Sequence, residues 1–285
     1  MLISQIVNGL VIGSGYAIVA VGLTLVFMIF KIPWFVQAIL VVYGAYFTYF
    51  ALGLNIGFIG AVTLSVLGCV LLAVLIERLF IRYAMSWKHE QLLIGIFAVL
   101  TILKTIALVE WGGYPKYIPS FAPTVIKIGE ITITLDRIIM SILSIVIIGL
   151  LALFLKRAKL GKAIRATSQD YRTASILGIN INKISVITFI ITGALAAIGG
   201  SMLGMIYYVH PKLADLLIMK TFIALILGGF GNIFGALVGS YVVGLTDSLG
   251  IAYLGAGMKE ILLFIVILVI LLIKPSGLFS VGRRK

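Results

Sequence analysis

Of the polar side chains within otherwise apolar runs of this chain, Asn8, Gln37, Lys104, Lys220 and Asp247 need explaining. A lysine at mid-bilayer depth costs about 2.5–3.5 kcal/mol on insertion scales, so each lysine needs a partner or a route to water. Lys104 lies toward the outer end of its run and Lys220 stands one to two turns from Asp215. Both are therefore expected to snorkel outward or to pair structurally. No carboxylate pair falls centrally within a long apolar run, which argues against a self-sufficient proton- or sodium-driven pump. His89 and His210 lie in predicted loops without HExxH or a second ligand at helical spacing, so no metal site is expected. Serine-hydrolase chemistry lacks its GxSxG elbow. The GKA at Gly161, Lys162 and Ala163 fails as a phosphate loop, because Lys156 stands where the first glycine belongs and Ala163 where Ser or Thr must follow the lysine. No cofactor is expected on this chain, and any ATP must be bound by another polypeptide.

The elements that hold these residues follow from composition. Of 285 residues, 62% are hydrophobic and only 11% charged, which describes an all-α polytopic integral membrane protein. The net charge of +13 sits in short clusters between apolar runs, without aromatic interleaving, so it reads as topology and not as a nucleic-acid surface. Cys69 is alone, and no disulfide framework follows. Long apolar runs occupy 3–30, 35–52, 59–76, 92–109, 138–155, 184–208 and 261–273. With a short or broken helix pair at 216–248, the expectation is about eight to nine segments in one transmembrane domain spanning 1–285. The first basic residue, Lys31, follows the first run, so that run is expected to be a retained span with its N-terminus outside. Most Lys and Arg then fall at Lys31, at Arg78, Arg82 and Lys88, across 156–183, and at Lys274, Arg283, Arg284 and Lys285, which places the 156–183 loop and the C-terminus in the cytoplasm. The loop 111–137 falls outside, with three prolines and an alternating KIGEITITL that suits a short hairpin.

The polar passage 156–183 is far longer than a connector requires. On a helix, Leu160, Ile164, Thr167, Tyr171 and Ala174 form one apolar face, while Lys162, Arg165, Gln169 and Arg172 form a basic one. Gly178 stops that helix, and Asn180 and Asn182 follow as turn residues. Such a helix lies on a membrane surface or docks into a partner's groove. The run 216–248 is broken by GGFGN at 228–232, which is read either as two helices meeting within the membrane beside a translocation route or as two thin spans. Gly231, Gly235 and Gly239, and Gly200 with Gly204 one span earlier, have the four-residue spacing of a helix-packing face. GSGYA near Gly13 and GSYVV near Gly239 are weakly alike.

The run LGKAIRATSQDYRTASILGININKI, 160–184, resembles the cytoplasmic loop of permease subunits of ABC importers for branched-chain amino acids, the LivH/LivM type. The resemblance continues through NGLVIGSGYAIVAVGLTLVF at 8–27, GAY at 44–46, ERLFIR at 77–82, FIITGALAAIGGSMLGMIYY at 189–208, LGGFGNIFGALVGSYVVGL at 227–245 and KPSGLF at 274–279. It implies a pairing with a second, similar or identical permease subunit, two cytoplasmic ABC ATPases and an extracytoplasmic solute-binding protein that docks on 111–137 and 207–215. Leu160, Gly161, Ile164, Arg165, Tyr171, Arg172, Ala174 and Gly178 would form the ATPase-coupling element; Arg172 and Thr173 replace the acidic residue and first alanine of the importer EAA-type pattern. Trp34, Gln37, Gly44, Gly228, Gly229 and Asn232 would border the path. The family usually carries Asn-x-Ala-His-Gly before its GAY, and this chain has Trp34, Phe35, Val36, Gln37 and Ala38 there. That departure widens the cargo from Leu, Ile and Val to other small amphipathic solutes. The rival reading is a channel or secondary carrier that works alone.

Overall fold

The computed structural model describes residues 2–128, 131–255 and 257–279, so the expected basic tail Arg283, Arg284 and Lys285 lies outside the described residues. The helices are α1 (Leu2–Phe30), α2 (Val36–Leu52), α3 (Gly57–Ala84), α4 (His89–Trp111), α5 (Leu135–Arg157), α6 (Lys159–Gln169), α7 (Tyr171–Ile176), α8 (Ile181–Ile206), α9 (Leu213–Gly228), α10 (Ile233–Leu254) and α11 (Lys259–Ile273). Among the described residues, six of them, α1, α3, α4, α5, α8 and α10, are long and apolar enough to cross a membrane, and α2 is a shorter apolar helix. The hairpin expected in the outer loop is present: β1 (Val125–Ile128) pairs antiparallel with β2 (Ile131–Thr134), with Ile126 opposite Ile133.

The first helix is the axis of the bundle, and each residue from Gly13 to Val26 is buried. It can be so enclosed because glycine lets a neighbouring backbone approach to contact. A Cβ on Gly9 would come within 2.8 Å of the Leu245 Cα, and one on Gly13 within 2.9 Å of the Tyr241 ring. The two similar glycine scraps therefore face each other. Contacts run in opposite order along α1 and α10, from Gln5 beside Ser248 to Met28 beside Gly231, so the helices are antiparallel along most of their length.

A second seam joins α2, α3 and α8. A Cβ on Gly44 would lie 2.6 Å from the Ala197 Cα, and one on Gly200 would strike the Val41 carbonyl. Thr48 and Ser201 share a 2.7 Å hydrogen bond there, and the Ser65 hydroxyl donates to the Gly44 carbonyl at 2.8 Å. Near its C-terminal end α3 loosens into one π turn, Glu77–Ile81, and the buried Glu77 accepts from the Ser185 hydroxyl of α8 at 2.7 Å. Gly204 packs on Ile118 of the outer loop, which is stitched to the end of α8 by paired hydrogen bonds between Lys116 and Val209.

Gly200→Val and Gly244→Val are expected to lower stability by at least about 1–3 kcal/mol, because backbone atoms and not side-chain ends occupy the space. Gly149→Ala, on an exposed stretch of α5 with nothing within 4 Å, is expected to be neutral or slightly stabilising. Thermal unfolding of the purified detergent-solubilised variants distinguishes these outcomes.

Candidate functional site

The passage 156–183 folds as two helices, not the single one that the apolar repeat suggests. Helix α6 turns back from α5 at Ala158 and buries Gly161, Ile164 and Thr167 against the bundle. Gly161 presses on the Phe154 carbonyl, an approach that a Cβ would block. The continuation to Tyr171 and Ala174 is broken by Asp170, whose carboxylate accepts from the amides of Arg172 and Thr173 at 2.8 and 3.1 Å and so starts α7. The Thr173 hydroxyl and amide hold the Asp170 carboxyl below its ordinary value. Gly178, in left-handed conformation at φ +85°, closes α7 as expected, with the Ile179 amide reaching back to the Ala174 carbonyl at 3.1 Å. Asn180 then caps α8 through the Lys183 amide, and Asn182 lies inside that helix.

Leu160, Arg165, Tyr171 and Arg172 are exposed, while Ala174 is buried under α7. Sequence reasoning missed the two most prominent groups of this element. Ile176 and Leu177 are 85% and 77% exposed, side by side at the tip of the capped turn. The signal was available in an Ile-Leu pair directly before the stop glycine, outside the apolar repeat.

The GGFGN bend sits beside the C-terminal end of α1. Phe230 packs on Phe27 with centroids 4.8 Å apart, and the backbone of 278–279 bonds to the carbonyls of Leu227 and Gly228. Gly229 and Gly231 take left-handed conformations, so Gly231 serves the turn, whereas Gly228, Gly235 and Gly239 provide the close contact between α9 and α10. Asn232 caps α10 through the Gly235 amide at 3.0 Å and donates to the Phe279 carbonyl at 2.7 Å. Trp34 and Gln37 are fully buried between α1, α2 and α8. Trp34 stands edge-on to Phe189, and Gln37 donates to the Thr192 carbonyl at 3.1 Å.

The polar residues of the apolar runs find partners far apart in sequence. Lys104 pairs with Asp215 at 2.5 Å, part-exposed at the outer end. Lys220 does not reach toward water: it is fully buried, 2.6 Å from Asp247 and 2.9 Å from Glu260. Asp247 also accepts from the Tyr16 hydroxyl at 3.0 Å, and Tyr16 shares a 2.8 Å bond with Tyr207. Five helices or helix ends, α1, α8, α9, α10 and α11, thus meet on one charge cluster, although no linear spacing pairs its members.

A family model described as branched-chain amino acid transport system / permease component matches residues 5–271. The high-affinity branched-chain amino acid transport system permease protein BraD of Pseudomonas aeruginosa is 28% identical over 98% of this chain and 95% of that protein. The corresponding permease protein LivH of Escherichia coli K12 has the same identity and coverage. A probable branched-chain amino acid transport permease protein LivH of Methanocaldococcus jannaschii is 34% identical over 50% of this chain and 47% of its own length. No solved structure matches the chain.

Lys220→Met strands Asp247 in a buried site and is expected to cost about 3–5 kcal/mol. Lys220→Met combined with Asp247→Leu is expected to recover a large part of that loss, because the uncompensated charge is gone. Denaturation of the single and double variants measures the difference, and a double variant no better than the single one would contradict the pairing.

Proposed function

This chain belongs to the family of permease components of branched-chain amino acid transport systems, and from that premise we propose that it moves a branched-chain amino acid or a related small amphipathic solute inward, driven by separate ATPases. It is a multi-pass protein of the cell membrane. Two permease subunits, identical or similar, enclose the path. Two cytoplasmic ABC ATPases bind the nucleotide, and an extracytoplasmic binding protein delivers the solute onto 111–137 and 207–215. The whole chain acts as one transmembrane domain without a cofactor of its own.

Nine crossings give a consistent path, with α2, α9 and α11 as thin spans of 17, 16 and 15 residues, about 22–26 Å each at 1.5 Å per residue. The N-terminus then lies outside, and α6, α7, the GGFGN bend and the C-terminal segment lie on the cytoplasmic side. The proximity of the bend to the C-terminal end of α1 and to 278–279 supports two thin spans over a turn at mid-membrane.

The observation that carries this reading is the protruding Ile176 and Leu177 pair on a short helix fixed at both ends, by Asp170 and by Gly178. Two large apolar side chains held in water call for an apolar groove on a partner. Helix α6, seated on α5 and α1, transmits displacement of that partner to the bundle. The ATPase does work on the path only through differential contact with α7 in its two states. A carrier that works alone has one observation in its favour, the buried Lys220, Asp247 and Glu260 cluster, since intramembrane ionisable groups often mark ion routes.

Ile176→Asp with Leu177→Asp is expected to weaken co-purification of the ATPases by at least about tenfold, given the apolar area removed. Solute uptake falls with it, while the elution volume of the permease is unchanged. Full uptake by this variant would refute the docking assignment.

A further inference from the structure

Four helix ends converge on the outer side of the bundle around a cleft of about 220 Å³. Gln5 and Asn8 come from the start of α1, Arg137 from the first turn of α5, Ile206 from the end of α8, and Ser248 and Ile251 from the end of α10. This volume is below the roughly 300–1,000 Å³ of sites for drug-sized ligands, so it suits a small solute or a single headgroup.

The cleft has one cation. Lys104 and Lys220 are each matched to carboxylates, but among the described residues no carboxylate lies within ion-pair distance of the Arg137 guanidinium. The adjacent Asp136, in the first turn of α5, accepts from the Arg137 backbone amide on Oδ1 at 2.8 Å. The Ser248 hydroxyl donates to the Gln5 main-chain carbonyl at 2.7 Å and stands 3.0 Å from the Gln5 side-chain amide, which holds that amide at the cleft. Asn8 adds a second amide, and Ile206 and Ile251 supply an apolar wall. A guanidinium with amide donors on one side and branched aliphatic side chains on the other is complementary to an oxyanion attached to a small apolar body.

We propose that this cleft is an outward-facing oxyanion site in which Arg137, assisted by Gln5 and Asn8, takes the carboxylate of the amphipathic solute before it enters the bundle. That the oxyanion belongs to a transported solute rests on the permease reading; the existence of the site does not. A phospholipid phosphate offers the same chemistry, and the test separates the two.

Cys69 is buried and the sole cysteine, so Ile251→Cys gives a single reactive thiol in the cleft of the otherwise intact full-length chain. Its labelling by a sulfonate-bearing and by a trimethylammonium-bearing methanethiosulfonate is measured in phosphatidylcholine nanodiscs, each rate normalised to a free thiol. The anionic reagent is expected to react about tenfold faster, as one fixed charge a few ångströms away in water predicts. Arg137→Gln removes that bias. L-leucine slows labelling and L-leucinamide, which lacks the carboxylate, does not. Protection by added phosphatidylglycerol in place of L-leucine assigns the same oxyanion site to a lipid headgroup. Equal normalised rates, absence of protection by either probe, or protection that survives Arg137→Gln would overturn the site. Uptake is not the readout, so a failure of the transport reading leaves this result standing.

Discussion

Two helix backbones can touch in a membrane only where no Cβ stands between them, and the contact of α1 with α10 is that constraint in this fold. Gly9 and Gly13 on one side and Gly244 on the other bring the helices into register over most of their length. The buried charge cluster depends on this approach. It sets Tyr16 beside Asp247, which in turn holds the buried ammonium of Lys220 arriving from α9 and linked onward to Glu260 of α11. Apolar surroundings make the alternative, an unpaired charge, too costly to persist, so the cluster fixes the relative positions of its helices.

The two ends of the bundle are built for different work. At the end where α1 begins and α10 finishes, helices are tied by the buried Lys220 cluster and by the stitched loop at Lys116 and Val209. At the opposite end α6 is seated on the bundle through Gly161 and Ile164, while α7 holds Ile176 and Leu177 in the open. On the proposed coupling, movement imposed on α7 would reach α5 and α1 through α6, and α1 is the helix that touches most of the others. A push at the tip would then be carried to the centre of the fold by packed contacts. In that proposal the exposed pair is the grip, and the caps at Asp170 and Gly178 hold the short helix at both ends.

Much of this architecture was legible in the sequence, because apolar run length and the positions of stop residues are local properties. The long spans, the outer hairpin and the glycine stop at 178 needed nothing more. The break at Asp170 was hidden because the apolar repeat runs through it to Ala174, which is buried as the repeat expects, while the carboxylate of Asp170 starts a new helix by accepting from the Arg172 and Thr173 amides. The partner of Lys220 was equally hidden: Asp215 is near in sequence, yet Asp247 and Glu260 are brought to it by folding. Trp34 and Gln37, read as bordering a path, lie in tight packing within this subunit. Glycine spacing marked close contacts but not their partners, so Gly231 reads as a packing residue in the sequence and serves a turn in the fold.

The account rests on this chain being a gate without a motor of its own. Its most direct test is accumulation of radiolabelled L-leucine in proteoliposomes bearing the permease alone, or the permease with its ATPases and binding protein, with ATP supplied on the cytoplasmic side. Concentrative uptake only in the complete, ATP-supplied assembly is the predicted result, and concentrative uptake by the permease alone under an ion gradient would contradict it.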